Sequence, residues 1–213
     1  MIKNREMDIE DKVQWVYRSQ NNQELIERYN VWAQDYEQDL DETFGYVGPE
    51  PAVDVLVTYI SPDAKILDAG AGTGLVGEIL YQRGYTHLEA MDMSIGMLAE
   101  ARKKGVYTQL HQQVMGEPLD FANATFDAII SVGVFTYGHV KSHAFDELLR
   151  ITKPGGYIVV TLPDDLSEGP EFKPKLAALE SSGQWKLVQT TEKFRTHLKK
   201  DSGVYLRVWV YQV

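Results

Sequence analysis

One stretch constrains this chain more than any other: Lys65-Ile66-Leu67-Asp68-Ala69-Gly70-Ala71-Gly72-Thr73-Gly74-Leu75-Val76-Gly77. A short apolar run ends in an acid, glycines follow at alternate positions, and an apolar helical pattern comes next. That order predicts a strand, a tight loop and a helix whose first N–H groups have no partner within the helix. Missing side chains in the loop let a ligand lie against the backbone.

Two glycine fingerprints overlap here. Gly70-Ala71-Gly72-Thr73-Gly74 reads G-x-G-x-G, and Gly72-Thr73-Gly74-Leu75-Val76-Gly77 reads G-x-G-x-x-G, the dinucleotide pattern. Register separates them. A dinucleotide loop sets its first glycine at the strand end, where Gly70 stands, but the sixth position from there is Leu75. The matching pattern starts two residues late. Asp68 at the strand end would repel a diphosphate and attract a cationic sulfonium and amine. A second acid, Asp92, ends the apolar run Leu88-Glu89-Ala90-Met91, where a carboxylate can accept both hydroxyls of a ribose. Asp92 could also be simply an acid at a helix N-terminus.

From Lys65 onward, strand candidates at Ile66–Ala69, His87–Met91, Gln109–Met115, Phe126–Val132 and Tyr157–Leu162 alternate with helix candidates at Gly74–Arg83, Ser94–Lys104 and Lys141–Thr152. Ser94 has the character of an N-cap. This rhythm predicts right-handed crossovers and a parallel sheet. The C-terminus departs from it. After a helix near Lys173–Ser182, strand candidates Trp185–Phe194 and Val204–Gln212 follow without an intervening helix, which predicts an antiparallel addition. Val204, Leu206, Val208 and Val210 face one way, and Tyr205, Arg207, Trp209 and Tyr211 the other. Residues before about 62 read as a helical cap, with Leu25, Ile26, Tyr29 and Trp32 at helical spacing and a resumed apolar helix over Ala52–Ile60.

A chain of 213 residues fits one domain, divided here into a cap over 1–62 and a core over 63–213. The absence of cysteine excludes disulfides, thiolate metal sites and a cysteine nucleophile. No metal site is expected. A formal net charge of −10, with short basic runs only at Arg102-Lys103-Lys104 and Lys199-Lys200, argues against a nucleic-acid groove. No apolar run reaches the ~18 residues of a membrane span, and the N-terminus lacks a signal-peptide core. The expectation is a soluble cytoplasmic protein. Nothing in the composition speaks to oligomeric state.

Taken together, Asp68-Ala69-Gly70-Ala71-Gly72-Thr73-Gly74, Asp92-Met93-Ser94, Phe126-Asp127-Ala128-Ile129-Ile130 and Lys153-Pro154-Gly155-Gly156 resemble the class I S-adenosylmethionine-dependent methyltransferases. A narrower resemblance is to the Williams–Beuren-region methyltransferase-like proteins. It is carried by Tyr29–Tyr36, Gly72–Val76, Gly116–Leu119, Thr125–Ala128, Val132-Gly133-Val134 and Ile151–Gly156. The fold so implied is α/β, a doubly wound seven-stranded, mostly parallel, Rossmann-like sheet with an antiparallel C-terminal strand and an N-terminal helical cap. The implied cofactor is S-adenosyl-L-methionine.

The resemblance also implies roles. Asp68 orients the loop and the amino end of the methionyl moiety, and Gly70, Gly72 and Gly74 form the loop that lets it approach. Asp92 holds the ribose and Met93 flanks the adenine. Met115, Gly116 and Glu117 form the adenine edge, while Ser131 and Val132 lie beneath the methionyl chain. Tyr29 and Tyr36 close over the cofactor, although core packing of an amphipathic helix is an equal reading of both. Many class I enzymes carry an Asp in the adenine stretch; this chain has Gln113, Val114 and Met115.

Methyl transfer needs alignment more than a catalytic side chain. Where the acceptor must lose a proton, a base near the end of the fourth strand is required, and Tyr137, His139 and His143 are the candidates. The Tyr137…Lys141 spacing also matches a dehydrogenase pair, but Gly138 breaks the helix that such a pair needs. The fourth strand runs into Ser131-Val132-Gly133-Val134-Phe135-Thr136, without the Asn-Pro-Pro-Tyr tetrapeptide of amide and nucleobase methylation. A small-molecule acceptor is therefore expected. Five acids in Asp35–Glu42 are either a lid that attracts a cationic acceptor or a solvated helix face. Two other functions stay open: a non-catalytic binder of S-adenosylmethionine or S-adenosylhomocysteine, and an NAD-dependent oxidoreductase.

Overall fold

The computed structural model describes residues 9–136, 140–199 and 203–213. Three helices come first, α1 (Ile9–Tyr17), α2 (Asn22–Trp32) and α3 (Tyr36–Phe44), followed by α4 (Pro49–Leu56). The alternating region is β1 (Ile66–Ala69), α5 (Leu75–Gln82), β2 (Leu88–Asp92), α6 (Ile95–Lys104), β3 (Gln109–Gln112), β4 (Phe126–Ser131), α7 (Ala144–Ile151) and β5 (Thr152–Pro163). It closes with α8 (Asp164–Ser167), α9 (Phe172–Ser181), β6 (Lys186–Thr190), β7 (Phe194–Arg195) and β8 (Tyr205–Gln212).

The sheet runs β3-β2-β1-β4-β5-β8-β6, with the short β7 paired to β8. Neighbours from β3 to β5 are parallel, and β8 is antiparallel to both β5 and β6. This is the expected doubly wound sheet with its antiparallel C-terminal strand. Strand β1 is buried on both faces, which is why Ile66–Ala69 reads as a continuous apolar run rather than an alternating one. Alternation still divides the side chains. Leu67 and Ala69 join the core under α7 and α9, while Ile66 joins the core under α4 and α5. Strand β8 divides the same way: Val208 and Val210 face α4, and Tyr211 stacks on Trp185 at 3.9 Å on the other side. Helix α7 buries Ala144, Phe145, Leu148, Leu149 and Ile151 and turns Asp146 outward.

Several boundaries differ from the sequence reading. The predicted strand Trp185–Phe194 is two strands, because pairing with β8 stops at Thr190 and resumes at Phe194. The strand predicted over Gln109–Met115 ends at Gln112. Helix α4 starts at Pro49, whose missing N–H costs nothing in a first turn, and ends before Ile60. It also packs on the sheet through Ala52, Val53 and Leu56, so the separate cap core is built by Val16, Leu25, Trp32, Leu40 and Phe44 from α1–α3.

Polar ties hold the cap to the core. Asn30 Oδ1 accepts hydrogen bonds from Ser94 Oγ at 2.7 Å and from the Gly96 N–H at 2.8 Å, which docks α2 on the start of α6. Ser94 Oγ meanwhile accepts from the Met97 N–H and caps α6 as expected. Lys104, in the last turn of α6, lies between Glu78 (2.7 Å) and Glu37 (3.1 Å). The buried Lys12 pairs with Asp39, which also accepts from Trp32 Nε1 at 2.7 Å. The backbone of 44–47 pairs with 196–199 through Val47 N to Thr196 O, Leu198 N to Gly45 O and Lys199 N to Phe44 O.

Candidate active site

The order of strands reverses between β1 and β4, and a crevice opens beyond the carboxyl ends of strands at such a point. A cavity of about 600 Å³ begins there and continues under the cap. One end is walled by Gly70, Gly72, Thr73, Asp92, Met93 and Met115, and the other by Tyr46, Thr136, His197 and Leu206. Tyr17, Tyr29, Trp32 and Tyr36 roof it.

The glycine loop is held from below. The Gly70 and Ala71 N–H groups donate to Met91 O at 2.7 and 3.0 Å, and the Gly74 N–H donates to Ala71 O. Asp92 clamps the loop to α6: Oδ2 accepts from the Gly72 N–H at 2.9 Å and Oδ1 from the Ser94 N–H at 2.8 Å. Burial pushes the Asp92 carboxyl above its ordinary value, and these backbone donors oppose the shift. With these N–H groups engaged and a carboxylate beside them, the loop offers little to a diphosphate. Gly72 has φ +55° and open space where a Cβ would be. Thr73 Oγ1 also lines this end, is buried, and has no partner among the described residues.

Asp68 differs from expectation. It points away from the cavity, toward the α5 face of the sheet, because alternation along β1 sends it there with Ile66. Tyr107 covers it, donating from its hydroxyl to Asp68 Oδ2 at 2.5 Å and accepting from the Gly77 N–H at 3.1 Å. The Tyr107 ring occupies the space where a Cβ on Gly77 would lie, 2.2 Å from its Cζ. Asp68 therefore supports the loop from behind and is not among the residues that line the cavity.

Of the other predicted residues, Tyr29, Tyr36, Gly70, Gly72, Asp92, Met93, Met115 and Val132 line the cavity. Gly74, Gly116, Glu117 and Ser131 do not. Gly74 instead precedes α5 with φ +91°, and Ser131 Oγ donates to Ala69 O, tying β4 to β1. Tyr29 and Tyr36 meet edge to face, 6.4 Å between centroids, and Tyr36 lies 4.8 Å from Trp32. Burial raises the pKa of both hydroxyls, and nearby tyrosines and Asp92 add to the shift. Tyr137 and His139 lie outside the described residues. His143 is exposed, with Nε2 3.0 Å from Gly116 O, and does not face the cavity.

The acidic stretch lies on the helix surface, half-buried to exposed, with several of its acids paired. Asp39 meets Lys12, Glu37 meets Lys104, Asp41 meets Lys199 and Glu42 accepts from Gln38. None of the five acids lines the cavity. Sequence reasoning missed Tyr46, His197 and Thr136, which reach the cavity only through contacts between distant segments.

A family model described as a methyltransferase domain matches residues 67–160. Over 165 residues the chain is 39% identical to methyltransferase-like protein 27 of Homo sapiens, covering 74% of this chain and 66% of the human protein. Residues 67–160 are a methyltransferase domain of the S-adenosylmethionine-dependent kind. A demethylmenaquinone methyltransferase of Renibacterium salmoninarum is 30% identical, over 71% of this chain and 66% of its own length. The chain thus spans just under two thirds of both relatives. Among solved structures, the Burkholderia thailandensis 1,6-didemethyltoxoflavin-N1-methyltransferase, with 1,6-didemethyltoxoflavin and S-adenosylhomocysteine bound, superposes with a TM-score of 0.65 at 19% identity, over 88% of this chain and 86% of that one.

The residues present fit the family's cofactor. Asp92 is the carboxylate at the end of β2 that faces the cavity, Gly72 leaves the backbone open, and Thr73 keeps a buried hydroxyl available. No group of three or more metal-ligating side chains occurs among the described residues, and no helix among them is long and apolar enough to cross a membrane.

Proposed function

We propose that this protein transfers the methyl group of S-adenosylmethionine to a small, uncharged, largely apolar acceptor held beneath the helical cap. The observation that carries this reading is the single cavity that joins the glycine loop to an aromatic chamber. Among its described lining residues the carboxylates are Asp92 and Glu10, and there is no lysine or arginine. An anionic acceptor would find no counter-charge there, and a phosphate backbone none either.

S-adenosylmethionine, when bound, supplies a methyl group activated by its sulfonium. The chain supplies the rest. Asp92 orients the ribose, Thr73 and the Gly72 backbone hold the methionyl end, and Met93 and Met115 flank the base. Tyr29, Trp32 and Tyr36 exclude water, and the far chamber aligns the acceptor. Two of the similar proteins are named for the small molecules demethylmenaquinone and 1,6-didemethyltoxoflavin, which supports this acceptor class.

Incubating the protein with methyl-labelled cofactor and a cell extract, then fractionating, tests the acceptor class. Label is expected in the solvent-extractable small-molecule fraction. Label confined to protein or nucleic acid would contradict it.

A further inference from the structure

The chamber distal to the glycine loop carries a titratable group that the proposed function leaves unused. His197 lines the cavity and stacks on Phe44, with centroids 4.6 Å apart and planes 28° apart. Its ring lies 5.8 Å from that of Tyr46. The backbone holds it firmly, because Thr196, Leu198 and Lys199 on either side pair with 44–47. Tyr46 links it to the reaction end. The Tyr46 hydroxyl lies 3.0 Å from where a Cβ on Gly133 would be, just beyond the end of β4. Gly70, Gly133, Tyr46 and His197 all line the cavity, with Tyr46 adjacent to both Gly133 and His197.

Resting on the methyl-transfer reading, we propose that His197 takes the proton of the acceptor, and that the acceptor is an aromatic molecule bearing a hydroxyl. The lone pair of the acceptor oxygen forms the bond to the methyl carbon, the carbon–sulfur bond breaks with its electron pair left on sulfur, and the oxygen's proton passes to a ring nitrogen of His197. Phe44 and Tyr46 flank the acceptor ring as aromatic walls. Burial, and then the Arg195 charge, push the pKa of the imidazole down from the ordinary histidine value, which favours the uncharged ring. Among the described residues, titratable groups around it include Tyr46, Tyr17 beyond it, and the outward Asp41–Lys199 pair. Among the described residues, Glu10 is the other carboxylate that lines the cavity besides Asp92.

4-Nitrophenol with S-adenosylhomocysteine provides a test that needs no turnover, since ionisation of the bound phenol is read from its absorbance. Wild type is expected to hold at least about tenfold more of the bound probe as phenolate at a given pH than His197→Asn does. S-adenosylhomocysteine affinity, measured by calorimetry, should be the same for both, which shows that the variant is folded. With S-adenosylmethionine, methylation of the probe by wild type should fall as pH drops through the histidine range, and the variant should lose about a hundredfold in rate together with that limb. Equal ionisation in the two proteins, or no binding of the probe by wild type that does bind S-adenosylhomocysteine, overturns the inference. Failure of wild type to bind S-adenosylhomocysteine overturns the methyl-transfer reading instead.

Discussion

Asp68 is 2% exposed, and burial pushes its carboxyl up to about 7, with the hydrogen bond from Tyr107 opposing the shift. In an unfolded chain the same group titrates near the ordinary aspartate value of about 3.9. Between those values the folded protein binds a proton that the unfolded chain does not. Asp68's contribution is therefore fully present below the lower value and is lost as pH rises through the upper one. Asp68→Asn should flatten the dependence of melting temperature on pH between about 4 and 7, and an unchanged slope would show that Asp68 does not carry it. Tyr107→Phe strips a donor from that carboxylate and an acceptor from the Gly77 N–H. The expected loss is about 1–3 kcal/mol in denaturant unfolding, and a change under about 0.5 kcal/mol would contradict the support role. The importance of Tyr107 had no signature in the glycine loop itself, because it arrives from a turn 30 residues beyond Gly77.

At the scale of elements, the cap keeps its own apolar core and is tied to the rest by polar contacts, with Met93 and His197 packing against it. Lys12, with a side chain only 6% exposed, depends on Asp39. Asp39→Ala leaves that ammonium without its partner, a change that costs about 3–5 kcal/mol in comparable buried pairs. The effect should be local: hydrogen exchange should quicken over α1–α3 while β1, β4 and β5 keep their protection. Uniform loss of protection across the sheet would mean that cap and core unfold as one. Strands β1, β2 and β4 were legible from sequence because burial on both faces writes an apolar run, and α6 because Ser94 caps it and Gly105 ends it with φ +65°. Strand β7 was not, since its two residues are defined only by pairing with β8. The ion-pair partners of the acidic stretch were not legible for a similar reason. Its partners Lys12, Lys104 and Lys199 lie 27, 67 and 158 residues away. His197 became visible only when the backbone of 196–199 met that of 44–47.

For the molecule as a whole, the reversal of strand order between β1 and β4 sets where a ligand can enter, and the cap covers part of that crevice. The glycine motif alone admitted a dinucleotide. The geometry disfavours one, because the Gly70, Ala71, Gly72 and Gly74 N–H groups are spent on Met91 O, the Asp92 carboxylate and Ala71 O. Asp92 is then the residue on which cofactor choice turns: it clamps the loop and faces the cavity at once. Calorimetric titration of wild type and Asp92→Ala with S-adenosylmethionine, S-adenosylhomocysteine and NAD measures this directly. The prediction is one-to-one binding of both adenosyl ligands by wild type, none of NAD, and at least about a tenfold weaker adenosyl affinity in Asp92→Ala, equivalent to about 1.4 kcal/mol. Binding of NAD by wild type without binding of S-adenosylmethionine would contradict the account.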